Sequence, residues 1–314
     1  MRGDARPPAT RPAEVSPERQ SLGPYLLLLA MAIGWGGSVS LSTIAMTGGE
    51  TPLAVAFWST GFGFLLLTAY LALRGRWPPL TRRHAAFYAV CGLLGTAAPN
   101  VLSMAAAAHL PAGVRSILFA LIPMMTLALM SLGRAERTGW LQLLGLLLGL
   151  AAVLVLLWPG STTVPAALYP WLAVSLGAVT CYALENVYID RRQPEGLDPV
   201  AALWGMTAAA LAVMLAAATL LGVDLVPAAR FGRTELAMLG MATVHVSCYA
   251  SFIYLIGRAG PVFASQVAYL TPPAGILWGV LLLGERLSGV IGWSMALMLL
   301  GISLVRPRRR RPDR

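Results

Sequence analysis

The chain has 314 residues and a net charge of +10; 57% of its residues are hydrophobic and only 11% are charged. Soluble domains carry about 25% charged residues, so this chain has too little polar surface to cover a water-soluble globule of its size. The positive charge does not mark a nucleic-acid binder, because it falls between apolar blocks and forms no basic face on a folded domain.

All 23 basic residues are Arg, which together with the Ala- and Leu-rich composition suggests a GC-rich bacterial genome. Residues 1–23 are Pro-rich and carry Arg2, Arg6, Arg11 and Arg19; they read as a disordered cytoplasmic tail. A signal peptide would have a short apolar core and a cleavage site, whereas the block that follows is long enough to span. A hydrocarbon core of ~30 Å needs about 20 apolar residues as helix. The chain supplies ten such blocks, at 25–46, 53–73, 85–107, 114–132, 140–158, 169–189, 200–221, 236–256, 262–283 and 289–305. Gly, Pro and charge separate them, as at Gly48-Gly49-Glu50, Trp77-Pro78-Pro79, Pro159-Gly160-Ser161 and Asp198-Pro199. Cys91, Cys181 and Cys248 each lie inside a block, as small buried hydrophobes do, so no disulfide framework or zinc site is expected.

With an even number of spans both termini share one side. The tails and the connections on that side hold 19 Arg, against four on the other: Arg115, Arg230, Arg233 and Arg286. Positive charge stays inside, so the termini are expected to be cytoplasmic. Residues 306–314 form a basic cytoplasmic tail, in which the run Arg306-Pro307-Arg308-Arg309-Arg310-Arg311 suits anionic lipid.

The two halves echo each other. Leu121 to Thr138 and Leu270 to Ser288 place Pro123 against Pro272, Glu136 against Glu285 and Arg137 against Arg286, all at an offset of 149. Thr51-Pro52 and Trp58 return as Asp198-Pro199 and Trp204. Residues 24–160 and 161–305 therefore read as two five-helix units. An odd number of spans inverts the second unit relative to the first, and inverted repeats characterise secondary transporters. The fold class expected is all-α and membrane-integral, with ten helices in two inverted repeats.

These residues resemble the drug/metabolite transporter superfamily, in particular its EamA-type members. Gly284-Glu285-Arg286-Leu287 matches the family's exit from the proline-containing span, and Gly133-Arg134-Ala135-Glu136-Arg137 is a looser copy. The resemblance covers Pro24 to Val305. Many relatives carry an Arg in the second span; here that stretch reads Ala54-Val55-Ala56-Phe57-Trp58-Ser59, without charge, so a site relying on that cation does not transfer. The resemblance implies a central cavity reached alternately from each side. It also implies transport of small metabolites, often export of amino acids or related compounds; other branches move nucleotide sugars, phosphorylated sugars or drugs.

Several residues are candidates for that cavity. Pro123, Pro272 and Pro273 fall near the middle of their spans and read as hinges or cavity walls, or else as packing kinks. Glu185 is an acid inside a span: it either couples protons or recognises a substrate amine, or it reaches toward the interface near Arg191 and Arg192. Tyr182 shares its face. His245 is either a substrate contact or a satisfied packing histidine, with Tyr249 and Phe252 on the same stripe. Trp35, Ser38 and Ser42 share a face of the first span, Asn100 follows Pro99, and Gln266 pairs with Tyr269; interhelical hydrogen bonding is the alternative for each. Gly145/Gly149 and Gly275/Gly279 are close-packing pairs, holding the bundle or a homodimer together.

No nucleotide loop, metal motif or nucleophile elbow is present, so no cofactor, no metal and no catalytic residue is expected. The expected function is secondary transport of a small organic metabolite across a bacterial inner membrane, export favoured. The expected partners are that solute and the lipid bilayer. A membrane-embedded transferase or hydrolase is the competing reading, and a drug or nucleotide-sugar carrier the nearer one.

Overall fold

The apolar blocks fold as helices. The computed structural model describes residues 22–75, 77–132, 140–156, 165–226, 231–259, 267–286 and 288–304. In chain order the helices are α1 (Gly23–Ala45), α2 (Pro52–Arg74), α3 (Arg82–Gly92, the π-helical Leu93–Ala97 and Ala98–Ala107), α4 (Ala112–Phe119 and Ile122–Leu132), α5 (Trp140–Leu156), α6 (Tyr169–Arg192), α7 (Pro199–Leu221), α8 (Arg233–Ala259), α9 (Val267–Leu283) and α10 (Gly289–Leu304). Both terminal tails, the Arg306 to Arg311 run, Glu136, Arg137 and Gln266 lie outside the described residues.

Among the described residues, six helical segments are long and apolar enough to cross a membrane: Gly23–Gly48, Pro52–Arg74, Arg82–Ala107, Ala112–Met130, Ala166–Arg192 and Pro199–Leu221. Leu143–Val155, Leu270–Leu283 and Gly289–Gly301 are apolar but shorter. Leucines on the outside of the bundle, among them Leu73, Leu147, Leu215, Leu220 and Leu281, are exposed. Water would not tolerate so much exposed hydrocarbon, whereas lipid does.

Repeat-related helices are built alike. Thr51 Oγ1 accepts the Ala54 N–H (3.2 Å) and starts α2 before Pro52; Asp198 Oδ2 accepts the Ala201 N–H (3.0 Å) and starts α7 before Pro199. A side-chain acceptor followed by proline is a strong helix start. Each helix ends at a left-handed glycine, Gly75 (φ 62°) and Gly222 (φ 65°), a conformation that other residues adopt only with strain. The repeated tryptophans do matching work between these two helices. Trp58 Nε1 on α2 donates to the Leu225 carbonyl beyond α7 (2.5 Å), and Trp204 Nε1 on α7 donates to Thr68 Oγ1 on α2 (2.8 Å).

Packing follows the same exchange. Shifting each label by five converts the α1–α9 contact into α6–α4, α2–α8 into α7–α3, and α1–α8 into α6–α3, all of which occur. α2–α7, α4–α9 and α5–α10 map onto themselves. The glycine pairs sit in such seams. A Cβ on Gly301 of α10 would lie 2.8 Å from the Gly145 carbonyl oxygen and 3.2 Å from Gly149 N on α5. A Cβ on Gly275 of α9 would collide with Ser116 Oγ of α4.

Two prolines mark departures from ideal helix. Pro99 has no N–H for the Gly95 carbonyl four residues back, and the chain there shifts to π pairing, with the Ala98 N–H donating to the Leu93 carbonyl. Pro123 breaks α4 at Ala120–Leu121, where the Leu121 N–H pairs back to Leu118 (3.0 Å). Its repeat partner Pro272, followed by Pro273, instead lies within an unbroken α9.

Candidate functional site

A cavity of about 620 Å³ opens between the helices, within the range of small-molecule sites. Residues of α1–α4 and α6–α9 line it. Among the described residues α5 and α10 contribute no lining and pack on one another instead. The wall combines hydrocarbon and aromatic faces with scattered hydroxyls, two amides, an imidazole and one guanidinium.

Of the residues picked out from sequence, Trp35, Ser38, Asn100, Tyr182, His245, Pro123 and Pro272 line this cavity. Ser42 and Phe252 line it too, and the Phe252 ring meets Trp35 edge-on at 6.1 Å. Pro273 is the neighbour of a lining residue without being one itself. The Tyr249 ring stacks on His245 at 6.2 Å, but it lines a separate small cavity of about 40 Å³ with Leu67, Tyr70 and Val200. Gln266 and the side chain of Tyr269 lie outside the described residues.

Asn100 ties three helices together. Its amide donates from Nδ2 to Thr60 Oγ1 on α2 (3.3 Å) and accepts at Oδ1 from the Tyr182 hydroxyl on α6 (3.2 Å). Tyr182→Phe removes one half-buried hydrogen bond and should cost about 1 kcal/mol. Unfolding of the purified protein in detergent reads this directly, and an unchanged midpoint would show that the link carries no stability. One turn past Tyr182, the buried Glu185 lays its carboxylate against Gly95 in the π-helical stretch, where any Cβ would collide with it. Gly95 lines the cavity, so Glu185 sits directly behind the wall. This corrects the interfacial alternative, in which Glu185 reached toward Arg191 and Arg192.

Sequence reasoning missed Arg115. It was counted among the charges outside the membrane on the side opposite the termini, yet it is 1% exposed and lines the cavity. Pro111 caps α4, which places Arg115 inside the first helical turn. That proline is the signal that could have found it. The side chain crosses to α1, where Nη1 donates to Ser42 Oγ (2.7 Å) and Nη2 donates to the Val39 carbonyl (2.7 Å) and to Thr43 Oγ1 (2.5 Å). Beside it, Glu285 from the α9–α10 connection accepts the Ala112 N–H (2.5 Å) and the Gly113 N–H (3.0 Å). One end of the cavity is thus closed by α1, the start of α4 and the exit of α9. Among the described residues that line the cavity, Arg115 on α4 supplies the guanidinium.

The model of the EamA-like transporter family matches this chain twice, over residues 22–158 and 169–306. The chain belongs to the EamA-like transporter family. An Escherichia coli (strain K12) relative described as an uncharacterized inner membrane transporter, YedA, is 28% identical over 305 residues, covering 90% of this chain and 92% of its own. A probable terminal-alkyne amino-acid exporter from Streptantibioticus cattleyicolor is 25% identical over 235 residues, covering 72% and 74% respectively. A protein solved by crystallography superposes with a TM-score of 0.59 at 19% identity, covering 90% of this chain and 96% of that one, and so shares the fold. Membership makes this chain an EamA-family transporter.

Proposed function

We propose that this EamA-like chain is a secondary transporter of the bacterial inner membrane that exports a small organic metabolite, an amino acid or related compound, by alternating access. The observation that carries the proposal is a metabolite-sized cavity between the two family-matched segments, lined from eight helices. The exporter name of the Streptantibioticus relative supports the cargo class, and the YedA name supports the membrane. In this reading 24–160 and 161–305 are inverted five-helix units, all ten helices cross, and the excess of Arg keeps both termini cytoplasmic.

The chemistry of the wall suits such a cargo. Aromatic faces from Trp35, Phe119 and Phe252 take an apolar side chain, while hydroxyls and Asn100 take polar groups. Arg115 and Glu285 draw α1, α4 and α9 together at the end where α4 begins, which favours a state closed on the outer side. Pro123 and Pro272 serve as hinges. Glu185, behind the wall, is the proton-coupling group.

Purified protein in liposomes should accumulate a labelled amino acid when a proton gradient is imposed. Failure to move any amino acid under a gradient would sink the proposal. Glu185→Gln should abolish the dependence on the proton gradient while leaving counterflow, and retained dependence would remove Glu185 from coupling.

A further inference from the structure

Hydroxyls inside membrane helices usually donate to a carbonyl of their own helix. Ser59, Ser116 and Thr207 do so along this cavity, to Val55 (2.8 Å), Ala112 (2.9 Å) and Leu203 (2.6 Å). Ser38 and Ser103 do not. Their hydroxyls are buried and without a partner among the described residues, as is Nε of Arg115. All three side chains line the cavity, all three are donors, and one carries a full positive charge. Arg115 donates to two hydroxyls and a carbonyl, which orient the guanidinium without neutralising it. Glu285, the nearby acid, keeps its negative charge, but its oxygens accept from the amides of Ala112 and Gly113 rather than from the guanidinium. A buried cation whose hydrogen-bond partners are all neutral still gains from an anion paired with it directly.

We infer that Arg115 reads the charge of the cargo: the cavity takes a carboxylate at its closed end, with Ser38 beside the Arg115 anchors on α1 and the aromatic wall along the hydrocarbon tail. The inference rests on the reading of this cavity as the transport site.

The same geometry says what happens to an amine. Phe119 lies one turn beyond Arg115, and its ring meets Tyr182 at 6.4 Å. Glu185 follows Tyr182 by three residues on α6, which runs parallel to α4, as the Phe119–Tyr182 and Thr126–Asn186 contacts show. At 1.5 Å per residue, Glu185 stands about 10 Å along the bundle from Arg115. An α-ammonium group sits on the carbon next to the carboxylate, so it falls far short of Glu185 when Arg115 holds the acid. The carboxylate is therefore required, and the amine is dispensable.

Four probes of equal tail length separate these requirements: norleucine, its carboxamide, hexanoate and pentylamine, each titrated against the full-length protein in detergent. Norleucine and hexanoate should bind, with the carboxamide and pentylamine at least tenfold weaker. Arg115→Gln should weaken hexanoate at least tenfold, and Arg115→Lys, which keeps the charge, should recover part of that loss. If the Arg115 variants do not fold, the probe series on the unaltered protein decides alone. Equal binding of the carboxamide or pentylamine overturns the inference, as does binding of none of the four, or full hexanoate affinity in Arg115→Gln. Acids that bind but are never carried into liposomes would defeat the transport reading and leave this one standing. An amine carried in preference to the acids would do the reverse.

Discussion

Alanine at Gly36 should force α1 away from α9. The added Cβ would lie 2.6 Å from the Gly275 nitrogen and 2.8 Å from both the Ala274 carbonyl carbon and its Cβ. Two of those three atoms are backbone, so no side chain can swing aside and the helices themselves must part. Close approach of small residues holds membrane helices together, because lipid offers no hydrophobic drive for their association. Overpacking such a contact costs about 1–3 kcal/mol, and the rigid neighbours put Gly36→Ala at the upper end. Gly292→Ala is the control: it lies on α10, where a Cβ meets nothing within 4 Å. Unfolding midpoints in detergent should drop for the first and hold for the second. Equal midpoints would mean that α1 and α9 do not touch backbone to backbone.

Glu285→Ala should loosen the same end of the bundle by another route. The first amides of a helix have no partner of their own and gather partial positive charge. Glu285 satisfies two of them on α4 with a full negative charge. Hydrogen bonds to charged groups contribute about 1.5–3 kcal/mol, so alanine should cost about that much. Glutamine keeps the shape but drops the charge, and should cost less. The start of α4 also carries Arg115, so loosening it should open that end to solvent. A cysteine at Ser116, in a protein freed of Cys91, Cys181 and Cys248, should then react faster with an impermeant thiol reagent. Unchanged stability together with unchanged labelling would deny Glu285 any part in closing the cavity.

Much of the fold was legible in the sequence because lipid imposes long apolar runs and proline, glycine and capping residues punctuate them. The apolar blocks and the helices agree to within a few residues over α1, α2, α6 and α7. The echo of Thr51-Pro52 and Asp198-Pro199 turned out to extend to both helix ends, since Gly75 and Gly222 stop the two helices alike. The cavity was legible only in part. Trp35, Ser38, Asn100, Tyr182 and His245 line it, and each was found as a polar or aromatic residue in an apolar run. Arg115 was lost because a charge at the second position of a block looks like the end of a loop; only the Pro111 cap shows that the helix has already begun. Tyr249 lines a separate cavity from His245, because spacing on one helix fixes a stripe but not which neighbour the stripe meets. The π-helical stretch that receives Glu185 left one faint trace, Gly95 four residues before Pro99, which becomes interpretable only when α6 is seen against it.

The two repeat-related seams are not closed to the same degree. α1 presses on α9 through bare glycine backbone, whereas α6 meets α4 through side chains, the Asn186–Thr126 hydrogen bond (3.3 Å) and the Phe119–Tyr182 rings, with the cavity reaching between them. If the second state of the transporter is this arrangement with the halves exchanged, the two seams are alternative tenants of one joint, and tightening either biases the resting population. Cycling needs the two states to lie within a few kcal/mol of each other. Selection on such a protein therefore limits how well any one seam can be packed. The variants most resistant to heat should include some that are locked on one side and carry nothing.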